Sequence, residues 1–257
     1  MKQIKALVLA CLTMAAGLAN AQTKVIAHRG YWDCEGSAQN SISSLKNSGK
    51  IGVYGSEFDV HITTDGKVVV FHDDSIQGMR IDAVKYAKLK DIKLKNGEKI
   101  PLLSEYLAVG KTFPKMQMIL EIKAHDTAAK EDRCVAQVLK EVKAAGMEKQ
   151  VEYISFSLHA CEQLRKDDAK AVIYYLNGDL TPQQVKAKGF NGIDYDGYVL
   201  LKHPEWIGQS HDLGMKVNVW TIDKPDDIKM AVMGKVDFIT TDNPVVAGKI
   251  IDGTYEE

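Results

Sequence analysis

The sequence predicts an α/β fold, a single (β/α)₈ barrel with a β-hairpin over its C-terminal mouth after the second strand. Three observations predict it. Short apolar runs alternate with amphipathic segments from residue 116 to the C-terminus, the pattern of repeated βα units. Strands of parallel type fall at Val25, Glu57, Ile119, Tyr153, Val172, Ile193, Val217 and Phe238, which completes a barrel. The chain has 257 residues, and such barrels of about 250 residues are commonly one domain. An open doubly wound sheet is the competing arrangement, but no glycine-rich dinucleotide loop follows the first strand.

Residues 24–28 form a short buried strand ending in His28-Arg29-Gly30, and a helix begins at Ser41-Ile42 and stops at Gly49. Residues 55–74 then read as a hairpin, because apolar alternation flanks Asp65-Gly66. Its short turn makes 68–72 the returning arm, since a parallel neighbour needs a crossover of about a dozen residues. A two-residue turn pairs Thr64 with Lys67 and sets Asp59 opposite His72. Glu57 and Asp59 leave the strand on one face, with Phe58, Val60 and Ile62 on the other. Residues 81–94 are mixed helix and loop, Asn96-Gly97 marks a turn, and a helix covers 102–109.

A strand over 116–123 precedes a long amphipathic helix, 127–145, closed by Gly146. Four more strand–helix pairs follow: 151–156 with 159–167, 171–176 with 181–188, 192–195 with 204–213, and 216–221 with 225–233. The last strand, 236–240, leads to a helix from Pro244.

Net charge is −1, so nothing electrostatic points to nucleic acid or a charged membrane. Lys2 and Lys5 precede an apolar run from Ala6 to Leu18 and an Ala19-Asn20-Ala21 motif. That is an export signal at residues 1–21, cleaved after Ala21 to leave 22–257 as the barrel domain. The run is short for a membrane span, so no stable membrane anchor is expected and the product is periplasmic or secreted. Cys11 follows Val8-Leu9-Ala10, a faint lipoprotein-like pattern, but the apolar run continues past it. Cys34, Cys134 and Cys161 fit no metal spacing and read as buried thiols.

A barrel carries its site at the C-terminal strand ends. His28, Arg29, Glu57, Asp59, His72, Glu121, Lys123 and Trp220 land there. Carboxylates Glu57, Asp59 and Glu121 converging on one point repel unless a cation bridges them, and oxygen-only ligation suits Mg²⁺ or Ca²⁺. Arg29 and Lys123 beside that cation suit a phosphate. Two histidines near a phosphate, His28 and His72, can serve as base and acid.

His28-Arg29-Gly30, Glu57-Phe58-Asp59-Val60, Asp65-Gly66 and Val69-Val70-Phe71-His72-Asp73 resemble motifs of the glycerophosphodiester phosphodiesterase family. Leu120-Glu121-Ile122-Lys123, Val219-Trp220-Thr221 and Thr240-Thr241-Asp242-Asn243-Pro244 resemble its later motifs, in order, across almost the whole chain after residue 21. The resemblance implies one divalent cation on Glu57, Asp59 and Glu121, and His28 and His72 as the acid/base pair. It also implies Arg29 and Lys123 on the phosphate, and Trp220 lining a glycerol pocket. The reaction implied is hydrolysis of a small phosphodiester to sn-glycerol 3-phosphate and an alcohol. Gln39-Asn40-Ser41 stands where the family carries Glu-Asn-Thr, so Asn40 is expected to position a loop without touching metal.

Two other functions compete: a phospholipase of C or D type on the same barrel, which calls for an apolar rim at the mouth, and a barrel that only binds a phosphorylated ligand. The presence of both histidines and all three carboxylates argues against the latter. His61, His125, His159, His203 and His211 read as surface or helix-start residues, with His125 near enough to Lys123 to reach the site. Asp242 reads as a cap on the last helix. Nothing in the sequence sets an oligomeric state.

Overall fold

The structure is a computed structural model that describes residues 22–256. The expected signal at 1–21 lies outside the described residues.

Eight parallel strands close on themselves: β1 (Lys24–Ala27), β2 (Gly55–Ile62), β6 (Gln117–Ile122), β7 (Val151–Ser155), β8 (Val172–Tyr175), β9 (Gly192–Asp196), β10 (Lys216–Trp220) and β11 (Phe238–Thr241). β1 pairs with both β2 and β11, which seals the barrel. Alternation sorts the side chains of each strand. Phe58, Val60, Leu120, Ile173, Ile193, Val217 and Ile239 pack outward against the helices. Ile26, Ile119, Ile154, Tyr174 and Phe238 fill the barrel interior as a separate cluster. Glu57, Asp59 and Glu121 share the inward parity, which is why carboxylates sit inside a barrel at all.

Local chemistry fixes the helices. α1 (Ile42–Ile51) starts where Ser41 Oγ accepts from the Ser44 N–H, and ends at Gly52 with φ 73°. Gly49 therefore does not stop this helix as expected. It lies within it, against the Phe113 ring, where a Cβ would collide. α2 (Leu103–Gly110) and α3 (Ala128–Ala145) follow, the latter capped by Thr127 and closed by Gly146. Ser157 caps α4 (Leu158–Asp167) and Thr181 caps α5 (Pro182–Ala187). A short helix not foreseen from sequence, α6 (Gly197–Lys202), precedes α7 (Glu205–Asp212), and α8 (Pro225–Met233) and α9 (Pro244–Ile251) complete the ring.

β3 (Val68–Val70) folds back on β2 beyond the barrel rim, but its register differs from the expected one. Val60 opposes Val70 and Ile62 opposes Val68, and Phe71 N–H donates to the Asp59 carbonyl at 3.0 Å, so Asp59 faces Phe71 rather than His72. The reason is Thr63. Its N–H donates to the Lys67 carbonyl at 2.9 Å, and its hydroxyl accepts from the Lys67 N–H at 3.0 Å. The loop is thus Thr64-Asp65-Gly66, with Gly66 at φ 77° supplying the left-handed residue of a three-residue connection. Val69 packs under Ile81, Leu89, Ile92 and Ile100, so the segment after the hairpin, including β4 (Ser75–Ile76) and β5 (Met79–Arg80), forms a small core of its own over it.

Candidate active site

At the C-terminal mouth a cavity of about 130 Å³ is lined by His28, Arg29, Glu57, His72, Glu121, Lys123 and Trp220, among others. Asp59 completes the carboxylate cluster. All eight residues picked out from the sequence therefore meet in one place.

Glu57, Asp59 and Glu121 each offer a carboxylate oxygen within 4.8 Å of the others, and all three are buried. Register explains the proximity, because Asp59 stands directly beside Glu121 on the β2–β6 pair. The Arg29 backbone N–H donates to Glu57 Oε2 at 2.8 Å, with Arg29 in the left-handed region at φ 53°. Gly30 follows at φ 76°, pressed against Ser44 where no side chain fits. Lys123 Nζ lies 2.9 Å from Glu121 Oε1 and 3.4 Å from Asp59 Oδ1. Asn40 does more than position a loop. It is buried at φ 57°, and its amide clasps Asp59 twice, donating to Oδ2 at 2.8 Å and accepting from the backbone N–H at 3.2 Å. Gln39 Oε1 accepts from Arg29 Nη1 at 2.8 Å, which aims the guanidinium without adding a charge.

Burial and then the neighbouring carboxylates Asp59 and Glu121 hold the Glu57 carboxyl well above the usual range. Burial and Asp59 push Glu121 up to about 8, against the pull of Lys123. Burial alone would raise Asp59 too, but the Lys123 ammonium, His72, Asn40 and Arg29 outweigh it and hold Asp59 low. Glu57 Oε1 is buried with no hydrogen-bond partner among the described residues. Three buried carboxylates that repel, one with an orphaned oxygen, fit a hard divalent cation.

The two imidazoles are each tied to an aspartate through Nδ1. His28 meets Asp242 Oδ1 at 2.9 Å and His72 meets Asp73 Oδ1 at 2.7 Å. Asp242 also accepts from Trp32 Nε1 at 2.9 Å. Burial would raise the Asp242 carboxyl, but the hydrogen bond and charge of His28, with Trp32, hold it low. Ionised, it only accepts, so His28 donates its Nδ1–H to Asp242 Oδ1. Asp242 is thus no helix cap: Asn243 occupies the cap position, and no side-chain cap bond is made there. Barrel closure was the signal for it, since residues following β1 and β11 must be neighbours.

His61, expected at the surface, is 2% exposed, and its Nε2 lies 3.3 Å from the His72 carbonyl oxygen. Burial pushes its pKa down to about 4, so neutral His61 Nε2–H pins the end of the hairpin. His125 stands edge-on to it at 6.0 Å, and both its ring nitrogens are buried with no hydrogen-bond partner among the described residues. Cys134 and Cys161 are buried free thiols, and Cys34 is a half-buried free thiol.

Residues 28–246 match the glycerophosphoryl diester phosphodiesterase family. The chain belongs to that family. Its enzyme class is accordingly that of the glycerophosphodiester phosphodiesterases. A solved glycerophosphodiester phosphodiesterase from Parabacteroides distasonis is 45% identical, with a TM-score of 0.90 over 91% of this chain and 98% of the other. The glycerophosphodiester phosphodiesterase of Caldanaerobacter subterraneus subsp. tengcongensis is 26% identical over 237 residues, 87% of this chain and 95% of that one. An Oleispira antarctica phosphodiesterase, solved in complex with the product sn-glycerol-3-phosphate, shares the fold at 23% identity over 90% of this chain and 97% of the other, with a TM-score of 0.79. No helix among the described residues is long and apolar enough to cross a membrane.

Proposed function

We propose that this family member is an exported, divalent-metal-dependent hydrolase that splits glycerophosphodiesters into sn-glycerol 3-phosphate and an alcohol. One observation carries the reading: a buried carboxylate triad, two cationic side chains and two aspartate-paired imidazoles share a single small cavity. Glu57, Asp59 and Glu121 would hold Mg²⁺ or Ca²⁺, which when bound neutralises charge on a phosphoryl oxygen. Arg29 and Lys123 face the same phosphate and orient it. One imidazole takes a proton from the attacking hydroxyl, and the other returns one to the leaving alkoxide, each contribution worth about 10²–10⁴-fold in rate. Trp220 supplies an apolar wall for the glycerol carbons.

The cavity, about 130 Å³, is well below the roughly 300–1,000 Å³ of sites for drug-sized ligands. That favours a glycerol-sized group over a diacylated lipid. Residues 1–21 supply the export part of the reading, and N-terminal sequencing of the mature protein should begin at Gln22.

Product analysis tests the reaction. Glycerophosphocholine with Mg²⁺ or Ca²⁺ should give glycerol 3-phosphate and choline, and nothing in EDTA. Phosphocholine and glycerol as products, or equal turnover in EDTA, would overturn the proposal.

A further inference from the structure

Beginning at Ile154, the register neighbour of Glu121, the residues Ile154, Phe156, Leu176 and Trp220 give the cavity an apolar wall. One carboxylate interrupts it. Asp194 lies on β9 between Ile193 and Tyr195, which both point outward into the helix layer, so Asp194 faces the barrel interior and lines the cavity. It is 2% exposed, and its Oδ1 has no hydrogen-bond partner among the described residues. The neighbouring Asn218 amide donates to Thr240 Oγ1 at 2.8 Å and also hydrogen-bonds the Asp194 carboxyl, yet Oδ1 is left over.

Trp220 Nε1 donates to the Asp194 main-chain carbonyl at 2.9 Å, and Phe156 meets the Trp220 ring edge-on at 5.4 Å. Burial pushes the Asp194 carboxyl up to about 7, and its contact with Asn218 offsets only part of that. An unpartnered carboxylate oxygen at this depth lowers stability. The proton transfers assigned to His28 and His72 do not use it, nor does the carboxylate triad.

We propose that Asp194 is a specificity-determining residue that accepts a hydrogen bond, through Oδ1, from the glycerol hydroxyl farthest from the phosphate. This rests on the function proposed above and deepens it. An ester at that oxygen has no proton to donate, and its acyl chain would have to share a cavity of about 130 Å³ with the glycerol. Asp194 therefore selects deacylated phosphodiesters against their acylated counterparts, and distinguishes glycerol from a propanediol of the same shape.

The test compares glycerophosphocholine with the analogue whose distal CH₂OH is CH₃, in wild type, Asp194→Ala and Asp194→Asn. Wild type should favour the hydroxylated substrate by about 100-fold in kcat/KM, the range of a hydrogen bond to a charged group. Asp194→Ala should bring the ratio within about threefold, and Asp194→Asn, which keeps the shape and a weaker acceptor, to about tenfold. The isosteric variant carries the comparison if the alanine protein does not fold. A purely structural role would slow both substrates equally and leave the ratio at its wild-type value. That result, or a variant that instead loses discrimination between choline and uncharged head groups, would overturn the role of Asp194 alone. Wild-type protein inactive on both substrates would overturn the proposed function, and this inference with it.

Discussion

His28 and His72 make the same hydrogen bond to an aspartate, yet the two pairs are built in opposite ways. His28 and Asp242 are 214 residues apart and meet because β1 and β11 are neighbours at the barrel seam, with side chains 18% and 28% exposed. Asp242 is itself held, since Asp223 Oδ1 accepts from its backbone N–H at 2.8 Å and from Thr241 Oγ1 at 3.0 Å. His72 and Asp73 are chain neighbours, and Asp73 is 71% exposed. An exposed pair of that kind contributes little. What places His72 is instead its main chain, pinned by the buried His61. One imidazole is oriented through its ring, the other through its backbone.

Substitutions can break that comparison. His28→Ala should lower kcat about 10³-fold with little change in folding, measured as glycerol 3-phosphate release. Asp242→Asn should cost about 10²-fold, because the amide can force the proton onto His28 Nε2. Asp73→Asn should cost less than about threefold. Equal losses in the two asparagine variants would erase the distinction. A smaller and separate effect concerns stability. Glu121, pushed up to about 8, binds a proton in the folded state that it has lost in the unfolded state between its ordinary pKa near 4.5 and 8. The metal-free protein should therefore lose stability as pH rises through that window, by up to about 1.4 kcal/mol per pH unit for such a group. Glu121→Gln should flatten the slope in melts recorded with EDTA, and saturating Mg²⁺ or Ca²⁺ should reverse it.

The barrel was legible because its signals are local: alternating strand parity, Thr127 and Gly146 around α3, and Pro182, Pro225 and Pro244 at helix starts. The carboxylate triad was legible for the same reason, since two of its members share one strand face. Gly49 misled because a helical glycine that makes room for Phe113 looks like a helix stop. Asp65-Gly66 signalled the hairpin, but Thr63 decided the register through two hydrogen bonds to Lys67 that no dipeptide rule contains. Asp242 was hidden because an Asp-Asn-Pro run before a helix reads as a cap, and only the closed seam brings it to His28. His61 reads as polar and therefore exposed until the segment from Ile81 to Ile100 is seen to cover the hairpin. Asp194 sat in plain view on an alternating strand, but nothing local says that its oxygen lacks a partner.

The most direct test of the account is glycerol 3-phosphate release from glycerophosphocholine by residues 22–257, run as wild type and His28→Ala, each with Mg²⁺ or Ca²⁺ and with EDTA. The account predicts release by wild type with cation and its loss in the other three conditions. No release from wild type despite tight cation binding, or undiminished release by His28→Ala, would contradict it.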